Sequence, residues 1–341
     1  MGLVDIQNIT TTGSFYATDP AQGLKPDAYY DRILLETIRL KKFHHLEYGK
    51  KKPMPKNYGD TINFRRIDSL VADTTPLIEG VPPVGDQASA SSVSITTHQY
   101  GRFMEFSDVV DFQIIDPIIE EYTVEMSDLA SETMDLVGRD NIFLQSGMFY
   151  YAGNAVDVTE LLTAVDAEPF KPTLNDFRRI VLSMKRNFVK PIIGGKYIVL
   201  ITPSVKYDLL DDPVVQKYME YASDASMMKT GDVIDLFNMR FIEVMNGIES
   251  NLEQPLEPED VSNPANTNTV HYSIVLGREA YGVTTIKGNG DAKIYVKKKG
   301  SAGVIDPIDQ RQSIGFKINA LGVGVLRQDA VCKYASIPTN Q

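Results

Sequence analysis

The sequence predicts an α+β protein in which a long helix and a β arm stand apart from a compact mixed core. Three observations predict it. Residues 61–112 hold two strand-like runs, INFRRID and SVSITTHQYGRFMEF, around an excursion, TTPLIEGVPPVGDQASAS, that has no secondary-structure period. The next segment, through Ser146, keeps apolar residues three and four apart, the period of a helix. Beyond Thr173, helical and strand patterns alternate and then give way to strands alone.

The arm is the organising stretch. Extended, Thr61 to Thr75 would span about 50 Å, several times the radius of gyration of roughly 13–15 Å of an ordinary compact domain. A loop this long inside a domain is uncommon unless it binds something, so the sequence predicts a protein that works by touching other copies or partners. At 341 residues and 43% hydrophobic content the chain can bury a sizeable core, as two domains or as one body with long appendages. The single cysteine, Cys332, excludes an internal disulfide framework and every multi-cysteine metal site. MGLVDIQNIT has neither the basic segment nor the apolar core of a signal peptide, and Ile6 stands where myristoylation needs Ser or Thr. The expectation is that nothing targets the chain to a membrane.

Net charge is −11, which argues against a general nucleic-acid binder. Its distribution is uneven. From Arg39 to Arg66 nine Lys or Arg face two acids, including Lys41, Lys42, Lys50, Lys51, Lys52, Arg65 and Arg66, a local +7 that leaves −18 for the rest. From Glu105 to Gly138 there are ten Asp or Glu and no Lys or Arg; Glu120, Glu121, Glu125, Asp128 and Glu132 form the acidic face of the long helix. Opposite stripes on neighbouring segments suggest pairing between subunits, which sets register and encounter rate more than affinity. Two solvated faces account equally well for either stripe alone.

In chain order, residues 1–24 lack periodicity and read as a tail. Asp27–Tyr48 reads as a helix with Tyr30, Ile33, Leu34, Ile38 and Leu46 on one face, and with Lys41, Lys42, His44 and His45 near its C-terminal end, where cations complement the helix dipole. His44 and His45 are adjacent, face apart and have no third ligand nearby, so no metal site is expected. Lys50–Lys52 with Pro53 and Pro55 reads as a hinge or strap. Asp116–Pro117 opens the long helix, with Ile115, Ile118, Tyr122, Met126, Leu129, Thr133 and Leu136 as its apolar stripe. Thirty residues make a rod of about 45 Å.

A short helix near Thr159–Val165 leads into the second unit. There Thr173 and Asp176 form a capping box for a helix whose inner face is Leu174, Phe177, Ile180, Val181, Met184 and Phe188. YIVLI at Tyr197–Ile201 reads as a buried strand, and Pro203 and Pro213 open two helices. FIEV at Phe241–Val244 precedes an acidic loop over Glu249–Thr269, after which HYSIVLG, AYGVTTI, AKIYVKKK, QSIGFKINALGVGVLR and AVCKYAS are strands.

No catalytic residue, metal site or cofactor is expected. No G-x-S-x-G, H-E-x-x-H, EF-hand loop or paired C-x-x-C occurs. In IIGGKY, Lys190 stands where a phosphate-binding loop needs its first glycine, and Tyr197 where it needs Ser or Thr, so a tight turn explains it better. Gly288–Gly290 reads as a hairpin turn, Gly322–Gly324 as a closely packed strand, and Lys297–Lys299 as a solvated strand end. Glu121 and Glu125 could pair as carboxylates, but no pocket-forming residues converge on them.

Four stretches carry a resemblance: FRRIDSLVADTTPLIEGVPP (Phe64–Pro83), THQYGRFMEFSD (Thr97–Asp108), TPSVKYDLLDDP (Thr202–Pro213) and DPIDQRQSIGFK (Asp306–Lys317). In this order, with the arm, rod and returning strands, they resemble the major capsid proteins of tailed phages, which have the Hong Kong 97 fold, and within them the family typified by the N-four coliphage. The resemblance implies a shell subunit. Hexamers and pentamers of one polypeptide would tile an icosahedron around double-stranded DNA, in a virion assembled in the host cytoplasm. Cement, scaffolding and portal proteins would be the further partners, and no membrane is involved.

The implied parts are an N-terminal arm over 1–59 and an extended loop over 60–112. A peripheral domain would take 113–165 and about 280–320, with its spine helix over 116–146. An axial domain would take 166–279 and about 321–341. The loop tip, Thr75, Pro76, Leu77, Ile78, Glu79, Gly80, Val81, Pro82 and Pro83, would lie across the next subunit of the ring, and Arg311 and Gln312 would contact the next ring. In one respect the sequence departs from the type member: no lysine occurs between Asn57 and Phe170, so the loop cannot donate the amine of a Lys–Asn crosslink, and a non-covalent shell is expected. Two other readings stay open. One is an encapsulin-type compartment; the other is an intracellular enzyme using Asp211, Asp212 or Arg311.

Overall fold

The computed structural model describes residues 45–55, 57, 59–67, 90–107, 118–162, 164, 168–221, 233–250, 269–285, 292–298 and 310–339, together with 72, 74, 76, 79, 80, 85, 87 and 89. The expected Asp27–Tyr48 helix up to His44, the Asp116–Pro117 helix start and the Gly288–Gly290 turn lie outside them. His45–Tyr48 form turns, not the end of a helix. The chain divides into two units, one of Met1–Arg39, Gly101–Ala130 and Ala292–Lys317 and one of Leu40–Tyr100, Ser131–Asp291 and Ile318–Gln341.

Three strands meet in the first unit: β4 (His98–Ser107), which pairs with β13 (Arg311–Val325), and β12 (Lys293–Lys297), antiparallel to β13 with Ile294 opposite Phe316. Glycine makes the close approach possible. A Cβ on Gly315 would lie 2.7 Å from that of Phe103 and 2.8 Å from the Arg102 carbonyl oxygen, and one on Gly101 would lie 2.8 Å from that of Phe316. The long helix, α1 (Ile118–Gln145), begins here. Its deepest residues along the whole length are Met126, Ala130, Asp135, Gly138 and Ile142, whereas Leu129, Thr133 and Leu136 of the expected stripe are only half-buried. The inner face is thus turned toward the small residues, which let neighbours approach the helix backbone.

The second unit is built on a seven-stranded sheet in the order β5-β14-β10-β6-β8-β7, with β9 on β10; these are β5 (Met148–Tyr151), β6 (Tyr197–Ile201), β7 (Val233–Leu236), β8 (Met239–Glu243), β9 (Ile248–Ser250), β10 (Val270–Leu276) and β14 (Val331–Ser336). The middle strands β6 and β10 are buried along their whole length, as their unbroken apolar runs require. Glu249 and Ser250, expected to open the acidic loop, are strand residues, because β9 pairs with β10. Between β5 and the next helix comes the short α2 (Val158–Leu162).

The helix α3 (Leu174–Arg186) starts as its capping box dictates: the Thr173 hydroxyl accepts from the Asp176 N–H. Leu174, Phe177, Ile180, Val181 and Met184 are buried, with Phe177 5.2 Å from Phe241 and 4.8 Å from Tyr334 between ring centroids. Phe188, expected on this face, is 87% exposed. The helix ends before it, the backbone turns left-handed at Phe188 (φ 55°), and Val189 fills the buried place. Parallel β6 and β8 are joined through α4 (Pro203–Asp211) and α5 (Pro213–Tyr221), each opened by its proline. The IIGGKY segment is a tight turn, with Gly194 and Gly195 at φ 55° and 77° inside the Ile193–Lys196 bridge. No described helix is long and apolar enough to cross a membrane.

Candidate assembly interface

The arm is real and it is a hairpin. β2 (Thr61–Ile67) and β3 (Ala90–Thr96) pair antiparallel from Thr61 opposite Thr96 to Ile67 opposite Ala90, as a sheet of two strands only. An isolated hairpin is marginal in water, and this one has a single apolar foothold. Phe64 and Ile95 are its only buried side chains; Arg65, Arg66 and Ile67 are exposed, the last by 80%.

The foothold is made by glycines on β11 (Tyr281–Thr285) and the second half of β13, which pair with Gly282 opposite Gly324. A Cβ on Gly282 would meet the Phe64 ring at 2.9 Å, one on Gly324 would meet Ile95 at 2.9 Å, and one on Gly322 would meet the Thr96 carbonyl oxygen at 2.7 Å. The Gly322–Gly324 motif is therefore the closely packed strand that the sequence suggests. Polar ties fix the root: Thr97 donates to the Asp60 carbonyl through N–H (2.8 Å) and hydroxyl (3.0 Å), and the Lys52 ammonium donates to the Asn63 carbonyl while lying 5.2 Å from the Phe64 ring centroid.

The segment before the arm is no hinge. Lys50–Lys51 is a strand, β1, parallel to β11, and the Lys52 and Met54 N–H groups extend the ladder to the carbonyls of Val283 and Thr285. Strand addition needs only backbone groups, which is why composition rich in Lys and Pro concealed it. A buried clasp precedes it. His45 gives both its backbone N–H (2.9 Å) and its Nδ1 (2.7 Å) to the Asp135 carboxylate, and its carbonyl accepts from the Tyr281 hydroxyl. That hydroxyl accepts in turn from the Tyr48 N–H at 3.1 Å. Leu46 lies on Gly138, where a Cβ would sit 2.4 Å from its Cδ2. Burial raises the Tyr281 hydroxyl far above the ordinary tyrosine value, and burial with the neighbouring Glu47 pushes Tyr48 up to about 12.

The other residues singled out in the sequence fall as follows. Lys50, Lys51 and Lys52 are exposed, but Lys50 pairs with Glu279 at 2.8 Å and Lys52 serves the hairpin root. Pro76, Glu79 and Gly80 are exposed, the last two in a turn; Thr75, Leu77, Ile78, Val81, Pro82, Pro83, Lys41 and Lys42 lie outside the described residues, as do the side chains of Glu120 and Glu121. Glu125, Asp128 and Glu132 are half-buried along α1. Arg311 is exposed, whereas Gln312 is buried at 7% exposure. Among the described residues no group of His, Cys, Asp or Glu could hold a metal. The His45–Asp135 clasp went unread because Asp135 looked like one acid of a solvated run.

No family model and no curated sequence matches the chain. Solved structures do. The capsid structure of the cyanophage P-SCSP1u is 14% identical and superposes over 97% of this chain and 100% of its own with a TM-score of 0.63. The chain has the Hong Kong 97 capsid fold. The capsid fold recurs in the cyanophage Pam1 capsid (13% identity, 96% and 100% covered, TM-score 0.63) and in the acid-stable capsid of Helicobacter pylori bacteriophage KHP30 (15% identity, 99% of each chain, TM-score 0.61).

Proposed function

We propose that the chain is the major capsid protein of a tailed phage, akin to that of the N-four coliphage, and that it assembles through hexamers and pentamers into the icosahedral head shell around double-stranded DNA. One observation carries the reading: a fold shared over nearly the full length with phage capsid structures presents a two-stranded arm whose outer residues Arg65, Arg66 and Ile67 are exposed. An arm with one glycine-lined foothold is stable at its root and open along its length, as a clamp over a neighbour must be. Contacts between different faces of identical copies close into rings, and many weak contacts repeated over a shell add to a stable whole.

In this reading residues 60–112 are the extended loop, and α1 is the spine of a peripheral domain. The sheet strands β6, β8, β10 and β14 with α3 belong to the axial domain, and Arg311 faces the next ring. Catalysis has no place in it. The acidic body suits a wall that must not hold the DNA packed against it. Cement, scaffolding and portal proteins are the further partners, and assembly takes place in the host cytoplasm. The test is removal of Pro76–Ser91 from the full chain. The subunit is expected to keep its circular dichroism spectrum and to lose shell formation; normal yields of shells would sink the clamp.

A further inference from the structure

Two turns of the second unit hold phenylalanine where local energetics favour glycine or asparagine. α3 closes in a Schellman motif: the Val189 N–H donates to the Met184 carbonyl and the Phe188 N–H to the Lys185 carbonyl, both at 3.0 Å. This sets Phe188 at the left-handed position, usually glycine, where a bulky side chain is strained. Among the described residues the ring is left 87% exposed, so little burial offsets the strain. The β7–β8 turn repeats the pattern. Phe237 and Asn238 have φ 44° and 64°, a two-residue connection that favours Asn-Gly, and Phe237 is 44% exposed beneath the Arg178 guanidinium, 5.1 Å from its ring centroid.

The two turns are one side chain apart, since Tyr197 donates its N–H to the Asn238 carbonyl (2.8 Å) and its hydroxyl to the Val189 carbonyl (2.7 Å). Arg327 holds the tip by donating to the carbonyls of Asn187 and Phe188. Lys185, Arg186 and Lys190 are exposed around it, and the Arg278 N–H bonds the Lys190 carbonyl. Of the acids at this end, Asp235 is engaged by Arg240 and Lys196 and Glu279 by Lys50, while Asp329 is exposed two residues from Arg327, one carboxylate against the exposed Lys185, Arg186, Lys190 and Arg278. A chain of net charge −11 thus carries one basic end with a rigid aromatic tip.

We propose that this end is a subunit contact, with Phe188 as its anchor, seated on an acidic surface of a second copy of the chain. The inference rests on the reading of the protein as a self-assembling shell subunit. Charge selects the occupant, because a second copy supplies the acidic surface that a basic face needs and a ring requires each copy to join two unlike faces. Aromatic and arginine side chains at the centre of an interface are the ones that carry binding energy. A DNA duplex would use the cations, through its phosphates, but its stacked bases would offer no seat to the exposed Phe188 ring.

Three substitutions in the full chain test it: Phe188→Gly, the pair Lys185→Glu with Arg186→Glu, and Phe188→p-benzoylphenylalanine. Phe188→Gly relieves the turn, so its thermal midpoint is expected at or above that of the unsubstituted protein, while shell yield by sedimentation falls at least tenfold. The charge reversal lowers yield similarly, and irradiation of the photoreactive variant gives covalent dimers. A lower midpoint for Phe188→Gly, normal shell yield from it and the charge reversal, or crosslinks to DNA in place of protein would overturn the contact. Failure of the unsubstituted chain to form shells would instead overturn the reading on which it rests.

Discussion

His45 and Asp135, ninety residues apart, bury a two-pronged contact in which one carboxylate receives both the backbone N–H and the ring of a single histidine at 2 and 3% exposure. The clasp holds the chain entering the arm against the long helix. Removing the carboxylate leaves the backbone N–H and ring nitrogen of His45 buried without their acceptor, so Asp135→Ala is expected to cost about 1–3 kcal/mol. Urea denaturation measures it; a loss under about 1 kcal/mol would show that water replaces the carboxylate.

Tyr281 adds a pH dependence to the same clasp. Its folded value lies above the unfolded value of about 10, so the stability it contributes is complete below pH 10 and is lost as pH rises toward the folded value. Tyr48, pushed up to about 12, acts in the same direction. At pH 7, Tyr281→Phe loses the bonds to His45 and Tyr48, at about 1–2 kcal/mol. Above pH 10 the gap between the two proteins should narrow by up to about 1.4 kcal/mol per pH unit. Parallel curves from pH 8 to 11 would contradict the assignment.

Local chemistry is what the sequence made legible. The Thr173–Asp176 box, Pro203, Pro213 and the run YIVLI each specify an element with their own atoms, and each is where it is expected. The β2–β3 hairpin was legible in part: the run SVSITTHQYGRFMEF breaks at Thr97 into β3, which pairs with β2, and β4, which pairs with β13. What escaped depends on distant partners. Lys50–Lys51 becomes a strand only because β11 offers an edge, Asp135 leaves the acidic run only because His45 meets it, and Phe188 turns outward because the chain reverses one residue after the helix cap.

The glycine foothold should not tolerate side chains. Gly322→Ala would press a methyl group on the Thr96 carbonyl oxygen, a backbone atom that moves only with the whole hairpin, so a cost of about 1–3 kcal/mol is expected. Proteolysis within residues 68–89 should accelerate in step. Unchanged stability would mean that the hairpin root is not seated on β13.

The shell should be non-covalent. With no lysine between Asn57 and Phe170, particles boiled in denaturant are expected to run at the mass of one chain. A ladder of covalent oligomers would contradict this.

Electron cryomicroscopy of the purified chain tests shell assembly most directly. Closed icosahedral shells of six- and five-membered rings are expected, in which the Thr61–Thr96 hairpin of each copy lies over its neighbour in the ring. Discrete particles of one or a few copies, or shells in which the hairpin folds back on its own chain, would contradict that expectation.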